Sequence, residues 1–188
     1  MAAAGALVAS DLPGYTGAAS KGQSAGDKAA EAALYRCLGV AAQKFLDRNF
    51  GMDYTQGSTE VDSSADVVES AAMAHNMARA GRGNAAAACF KTQFQTGFAQ
   101  QGIKTTELAV TPVTVEVPGS DEIFAFHVVV TVAGTNGSVP VDSYVINTGW
   151  RQVEVTINDT VSGGGKASLA DATRLAGIAV QRVRAITG

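Results

Sequence analysis

The sequence predicts an α+β protein, an antiparallel sheet meander flanked by helices, in one domain spanning residues 1–188. Three observations predict it. Apolar residues recur at i, i+3, i+4 and i+7 in a mainly helical region, 24–102, and again in a C-terminal helix at 167–188. Between 103 and 160 they alternate, or run on, in short segments rich in Val, Phe and Thr. Those segments follow one another through Gly- and Pro-containing turns.

Residues 1–23 form a lead-in whose apolar part closes at the Pro13-Gly14 turn. A helix begins near Ser24 to Asp27, with Ala30, Ala33, Leu34, Cys37 and Leu38 on its apolar stripe and Gly39 as its stop. A second helical piece is expected to run to about Arg48, burying Ala41, Phe45 and Leu46. Gly57–Val68 is ambiguous, with Thr59-Glu-Val-Asp-Ser63 alternating like an edge strand. Helical spacing returns at Ala71, Ala74, Met77 and Ala78 and breaks at Gly81-Arg-Gly83. It resumes from a cap at Asn84 through Ala88, Cys89, Phe94 and Phe98, and ends at Gly102.

Strands follow. Val113, Val115 and Val117 alternate with polar residues. Glu122–Val132 is apolar on both faces, which predicts a strand covered on both sides. Asn136-Gly137 signals a hairpin into Val139–Ile146, and Asn147-Thr-Gly149 a tight turn into Trp150–Asn158. After Gly163-Gly-Gly165, Ser168 and Asp171 form a capping box for a last helix. Leu169, Ala172, Leu175, Ala176, Ala179, Val183 and Ile186 point inward along it.

The composition excludes several functions. A net charge of −3 offers no footprint for nucleic acid, and no Lys/Arg run grips anionic lipid. No transmembrane segment is expected, since no apolar run reaches the length that spans a bilayer. Low charge, 16% against 46% apolar residues, suits a secreted protein. Met1-Ala-Ala-Ala-Gly-Ala6 lacks the charged start and apolar stretch of a signal peptide, so an exported protein would have lost its signal. The two cysteines, Cys37 and Cys89, read either as one disulfide stapling two helices, in an extracytoplasmic compartment, or as two buried thiols.

Several segments together resemble a known group. They are Leu7-Val-Ala-Ser-Asp-Leu-Pro-Gly-Tyr15, the helix ending Cys37-Leu-Gly39, and Ala88-Cys-Phe90. The Val113–Val117 strand, the Asp121-Glu122 turn, the Trp150–Ile157 strand and the final helix belong with them. In these the chain resembles actinobacterial secreted or lipoprotein envelope domains, the group of LpqN-type lipoproteins and the PknH-type kinase extracellular sensor domain. The resemblance implies a PsbP-like α/β sandwich, an envelope location and ligand sensing. It implies Cys37–Cys89 as a structural bridge and supplies no catalytic residue. The long polar stretch at Asp53–Asp66 departs from the group's pattern.

Candidate chemistry is sparse. His127, mid-strand, is a weak candidate base or ligand, and His75 sits on a helix near Met73 and Met77. No His/Cys spacing suits zinc, and no nucleophile elbow or phosphate loop is present. Ser58, Glu60, Asp62, Ser63, Ser64 and Asp66 offer oxygen ligands for Ca²⁺, or a solvated strand edge. On a strand running from Trp150, alternation places Trp150, Gln152 and Glu154 on one polar face, opposite Val153, Val155 and Ile157, as a contact patch. The expectation is a non-catalytic envelope or secreted domain with no cofactor and no metal. Its partner is expected to be a small apolar or amphipathic molecule or an envelope protein. Assembly into a surface homo-oligomer is the alternative.

Overall fold

A computed structural model describes residues 1–134 and 137–187. The order is α1 (Ala2–Gly5), a 3-10 turn (Ala9–Asp11), β1 (Thr16–Ala19), α2 (Ala25–Leu38), β2 (Phe45–Asn49), β3 (Met52–Gln56) and β4 (Thr59–Val68). Then come α3 (Ala71–Ala80), α4 (Gly83–Gln100), β5 (Thr105–Val113), β6 (Glu122–Gly134), β7 (Gly137–Trp150), β8 (Val153–Ser162) and α5 (Leu169–Thr187). The protein is α+β, as the sequence predicts. Its antiparallel sheet runs β1-β3-β4-β8-β7-β6-β5, with β2 also on β4. Helices cover both faces.

Alternation divides the sheet. On β4 and β8, Val61, Ala65, Val67, Val153, Val155 and Ile157 point to one face. There they meet Leu175, Ala176, Ala179, Val180 and Val183 of α5. The intervening side chains Asp62, Ser64 and Asp66 pair in register with Asn158, Thr156 and Glu154 on the opposite face. Farther along that face, Phe124, Phe126 and Val128 of β6 pack under Met77 of α3, Phe90 of α4 and Leu34 of α2. The second helical layer therefore has an apolar seat on β6 and a polar strip beside it on β4 and β8. On β6 the face of Phe124, Phe126, Val128 and Val130 is buried, with Phe126 only 1% exposed, whereas on the other face Ala125 is buried and Ile123, His127, Val129 and Thr131 are half-buried; the strand lies next to the edge strand β5.

Several boundaries differ from the sequence reading. Residues 24–102 hold the helices α2, α3 and α4, with the strands β2, β3 and β4 inserted between α2 and α3. The expected helix to Arg48 is instead β2, with Leu46 65% exposed and Ala41 also exposed. Its apolar spacing was borrowed from alternation too short to tell the two periods apart. Gly51, at φ 61°, bends the chain between β2 and β3 so that both run along β4, and a Cβ there would meet Ser63 O at 2.6 Å. β5 occupies Thr105–Val113, ahead of the expected Val113–Val117 strand. α4 opens at Gly83, with Arg82 rather than Asn84 in the cap position. Ile186 is exposed at 54%. The expected Asn136-Gly137 hairpin falls on Asn136, outside the described residues.

The helix starts follow their caps. Ser24 accepts from Asp27 N while the Asp27 carboxylate accepts from Ser24 N, and Gly39 closes α2 at φ 69°. Ser168 Oγ accepts from Asp171 N at the start of α5. Cys37 on α2 and Cys89 on α4 form a disulfide with a sequence separation of 52. Cys37 is exposed, so its side of the bridge faces solvent rather than an apolar face.

A loop of that length implies about 4 kcal/mol of stabilisation in the chain-entropy model. Reduction is therefore expected to lower unfolding stability by about that amount, measured by denaturant titration with and without reductant. An unchanged midpoint would show that the α2–α4 contact stands without the bridge.

Candidate functional site

The polar strip of β4 and β8 floors a cleft of ≈290 Å³ between the sheet and the helices α2 and α4. Leu34, Phe90, Phe94, Phe124 and Val145 make its apolar wall. Glu154, Asp66, Glu31, Tyr35 and Gln43 make its polar floor and side. Other hollows lie beside Gly81 (≈330 Å³), Tyr15 (≈320 Å³) and Leu38 (≈470 Å³). The cleft differs from them in gathering one buried acid, Glu154, and two half-buried ones, Asp66 and Glu31, against an aromatic wall.

Its geometry starts with register. Arg48 on β2 is the cross-strand partner of Asp66 on β4, and Asp66 is the partner of Glu154 on β8. One row across three strands thus reads Arg48, Asp66, Glu154. Arg48 Nε and Nη2 donate to the two Asp66 oxygens at 2.8 and 3.1 Å. Nη2 and Nη1 donate to the two Glu31 oxygens at 3.1 and 3.3 Å, and Nη1 also donates to Gln23 Oε1 at 3.0 Å. All five guanidinium N–H groups are then engaged. The guanidinium also lies 3.7 Å over the Phe45 ring. Burial opposes its charge, but the bonds to Asp66 and Glu31 outweigh that and hold it protonated.

Glu154 is 7% exposed. Both its oxygens accept from Gln43 Nε2, at 2.8 and 2.9 Å. Burial pushes its carboxyl up to about 7, against the pull of the Gln43 bonds, and Asp66 directly opposite adds to the rise. Asp62 is pushed up to about 6, again by burial, with Asn158 Nδ2 donating to it at 2.7 Å. Burial also raises Asp66 despite Arg48. The Tyr35 hydroxyl is raised by burial and then by Glu31, and its one proton lies between Glu31 Oε1 and Gln43 Oε1, at 2.9 and 3.0 Å.

The contact patch expected from the sequence is not assembled. Trp150 and Glu154 lie on opposite faces, because the turn is at Arg151-Gln152 rather than at Asn147-Thr-Gly149. Trp150 pairs with Val153, on the α5 face. Arg184 of α5 covers its ring at 4.5 Å, and its Nε1 is buried without a hydrogen-bond partner among the described residues. Arg151 takes φ 55° to make the turn, which its side chain does not advertise. Gly149 instead sits in the strand, where a Cβ would stand 2.9 Å from Val153 O. Gln152 is in the turn, its carbonyl accepting from Val68 N.

His127 is on the α5 face too. It stacks on Tyr144 at 4.6 Å, and its Nε2 is 3.1 Å from Asp142 Oδ1. Asp142 is buried, yet lies below the usual carboxylate range because Lys166, His127 and Ala167 N bond to it and overcome the effect of burial. His75 is exposed and paired with Glu122. Of Trp150, Gln152, Glu154 and His127, Glu154 alone reaches the cleft, joined there by Ser64 and Asp66 of the flagged acidic stretch. Glu31, Gln43 and Arg48 escaped the sequence reading because they come from a helix side and from a segment read as helical. Asp62 and Asp66 were flagged, but as an edge or a Ca²⁺ site. Among the described residues no group of three His, Cys, Asp or Glu is placed to hold a metal ion.

No protein-family model matches the chain, and no curated protein matches it. Among solved structures, the extracellular domain of PknH from Mycobacterium tuberculosis is similar over 81% of this chain and 69% of its own, with 17% identity and a TM-score of 0.40. At that distance neither fold nor function transfers. No helix among the described residues is long and apolar enough to cross a membrane.

The raised Glu154 carboxyl makes stability depend on pH in a fixed direction. The unfolded chain ionises Glu154 near 4.5 and the folded chain near 7, so the folded state holds the extra proton between them. Stability is full below the lower value and is lost as pH rises through that window. Glu154→Gln removes the effect. Relative to the original protein, the variant should gain about 3 kcal/mol between about pH 4.5 and about pH 7.5, read from denaturant unfolding. A difference that does not change with pH would show a solvated carboxylate.

Proposed function

We propose that the protein is a non-catalytic binding domain of the cell envelope or extracellular space, and that the α2–α4 cleft holds a small amphipathic molecule. The observation that carries the reading is the pairing of an aromatic wall with a hydrogen-bonding floor in one cleft. At ≈290 Å³ it lies near the lower end of ordinary small-molecule sites. The Cys37–Cys89 disulfide supports an oxidising compartment, and the sequence resemblance to secreted and lipid-anchored proteins favours the same one. Binding is favoured over turnover because the polar groups of the floor are tied to structural partners. Arg48 holds Glu31 and Asp66, and Gln43 holds Glu154.

Backbone amide NMR tests this with 2-phenylethylamine, 2-phenylethanol and phenylacetate, which share one aromatic tail and differ in the charge of the head. Saturable shifts gathered on α2, α4 and β8 are expected with at least one of them. Shifts gathered on the Trp150 face, or no saturable shift with any, would overturn the reading.

A further inference from the structure

We propose that the polar end of the ligand is a cation, a primary ammonium group on an apolar tail, seated against Glu154. The inference rests on the binding reading of the cleft and goes further by naming the head group.

Donor and acceptor accounting leads to it. Arg48 is the only cation lining the cleft among the described residues. Its five N–H groups are spent on Asp66, Glu31 and Gln23. An anionic head would therefore find no free guanidinium donor and would face acids. Acceptors, by contrast, are in surplus. Glu154 is nearly buried and, among the described residues, bonded only to a neutral amide, so each of its oxygens keeps a lone pair unused. The Tyr35 proton is shared between Glu31 Oε1, which Arg48 Nη2 also serves, and Gln43 Oε1, which has no other donor among the described residues. Counted as ionised groups, Glu31, Asp66 and Glu154 set three negative charges against Arg48. An ammonium brings three donors and one positive charge, which answers both imbalances. The rings of Phe90 and Phe94 offer the tail an apolar wall.

The charge of Glu154 then couples binding to protons. The groups facing it are Glu31 and Tyr35 from α2, Gln43 from the following loop, Arg48 from β2 and Asp66 from β4. Met77 and Phe90 of α3 and α4 bring only apolar surface to the cleft. A cation favours the ionised carboxyl, so a protonated Glu154 gives up its proton on binding. Affinity for the ammonium should rise with pH through the range in which the folded protein titrates this group.

Calorimetric titration with 2-phenylethylamine, 2-phenylethanol and phenylacetate decides the matter. At about pH 8 the amine should bind about tenfold or more tightly than the alcohol, as a charge-assisted hydrogen bond allows. The preference should shrink toward parity near about pH 5, where Glu154 is neutral. Near about pH 7 the binding heat of the amine should differ between buffers of unlike ionisation enthalpy, reporting proton release. Glu154→Gln should lose the preference for the amine over the alcohol. Equal binding of the three ligands, preference for phenylacetate, or a preference that survives Glu154→Gln would overturn the cation assignment while leaving the cleft reading in place. Binding of none of the three would overturn the cleft reading itself. The comparison among ligands on the original protein stands even where the variant fails to fold.

Discussion

The guanidinium of Arg48 joins the sheet to its helical cover. From β2 it clasps Asp66 of β4 with one edge and Glu31 of α2 with another, while Phe45 backs its plane. Neither acid has another cation within salt-bridge distance among the described residues. A partly buried ion pair of this kind adds little against an apolar substitute, yet losing one member strands the others, at a cost that approaches that of a fully buried pair, about 3–5 kcal/mol, only as far as water is kept out. Arg48 thus works as a positioning device. It fixes α2 at a set distance over a strip of sheet that offers no apolar seat.

That strip exists because β4 and β8 keep strict alternation while β6 does not. On β6 both faces are apolar, and α3 and α4 settle there around Phe90, Phe124 and Phe126, whose rings lie 4.7–5.9 Å apart. On β4 and β8 the same face carries Asp62, Ser64, Asp66, Glu154, Thr156 and Asn158. A helix cannot pack closely on such a surface without leaving polar groups unpaired. The cover is held off by a lattice of hydrogen bonds instead, and the cleft is the space that remains. On the opposite face α5 packs directly on Val, Ile and Ala of β4 and β8, and the hollow there is confined to the end beside Tyr15 and Asp159.

The readable part of the sequence was the part with long, one-valued patterns. α5, the cap of α2, the two apolar faces of β6 and the cysteine pair all follow from local rules. What escaped depended on parity and on distant partners. Phe45-Leu-Asp-Arg-Asn49 is too short for its period to choose between helix and strand, so Arg48 was placed on the wrong element. The β7–β8 turn was displaced because Asn147-Thr-Gly149 has turn chemistry, whereas Arg151, which makes the turn, has none. That small shift moved Trp150 to the opposite face from Glu154, as alternation requires. The acids of β4 were visible in the sequence, but nothing local shows that they face Glu154 and Arg48 rather than water.

The central claim is that Arg48 holds α2 over the acid-floored strip and so defines the cleft. Native-state amide hydrogen exchange on Arg48→Met tests it most directly. The account predicts that protection falls in α2 and β2 while β6, β7 and α5 keep theirs, because their cores lie apart from the guanidinium. Unchanged protection in α2, or an equal loss across the whole sheet, would contradict it.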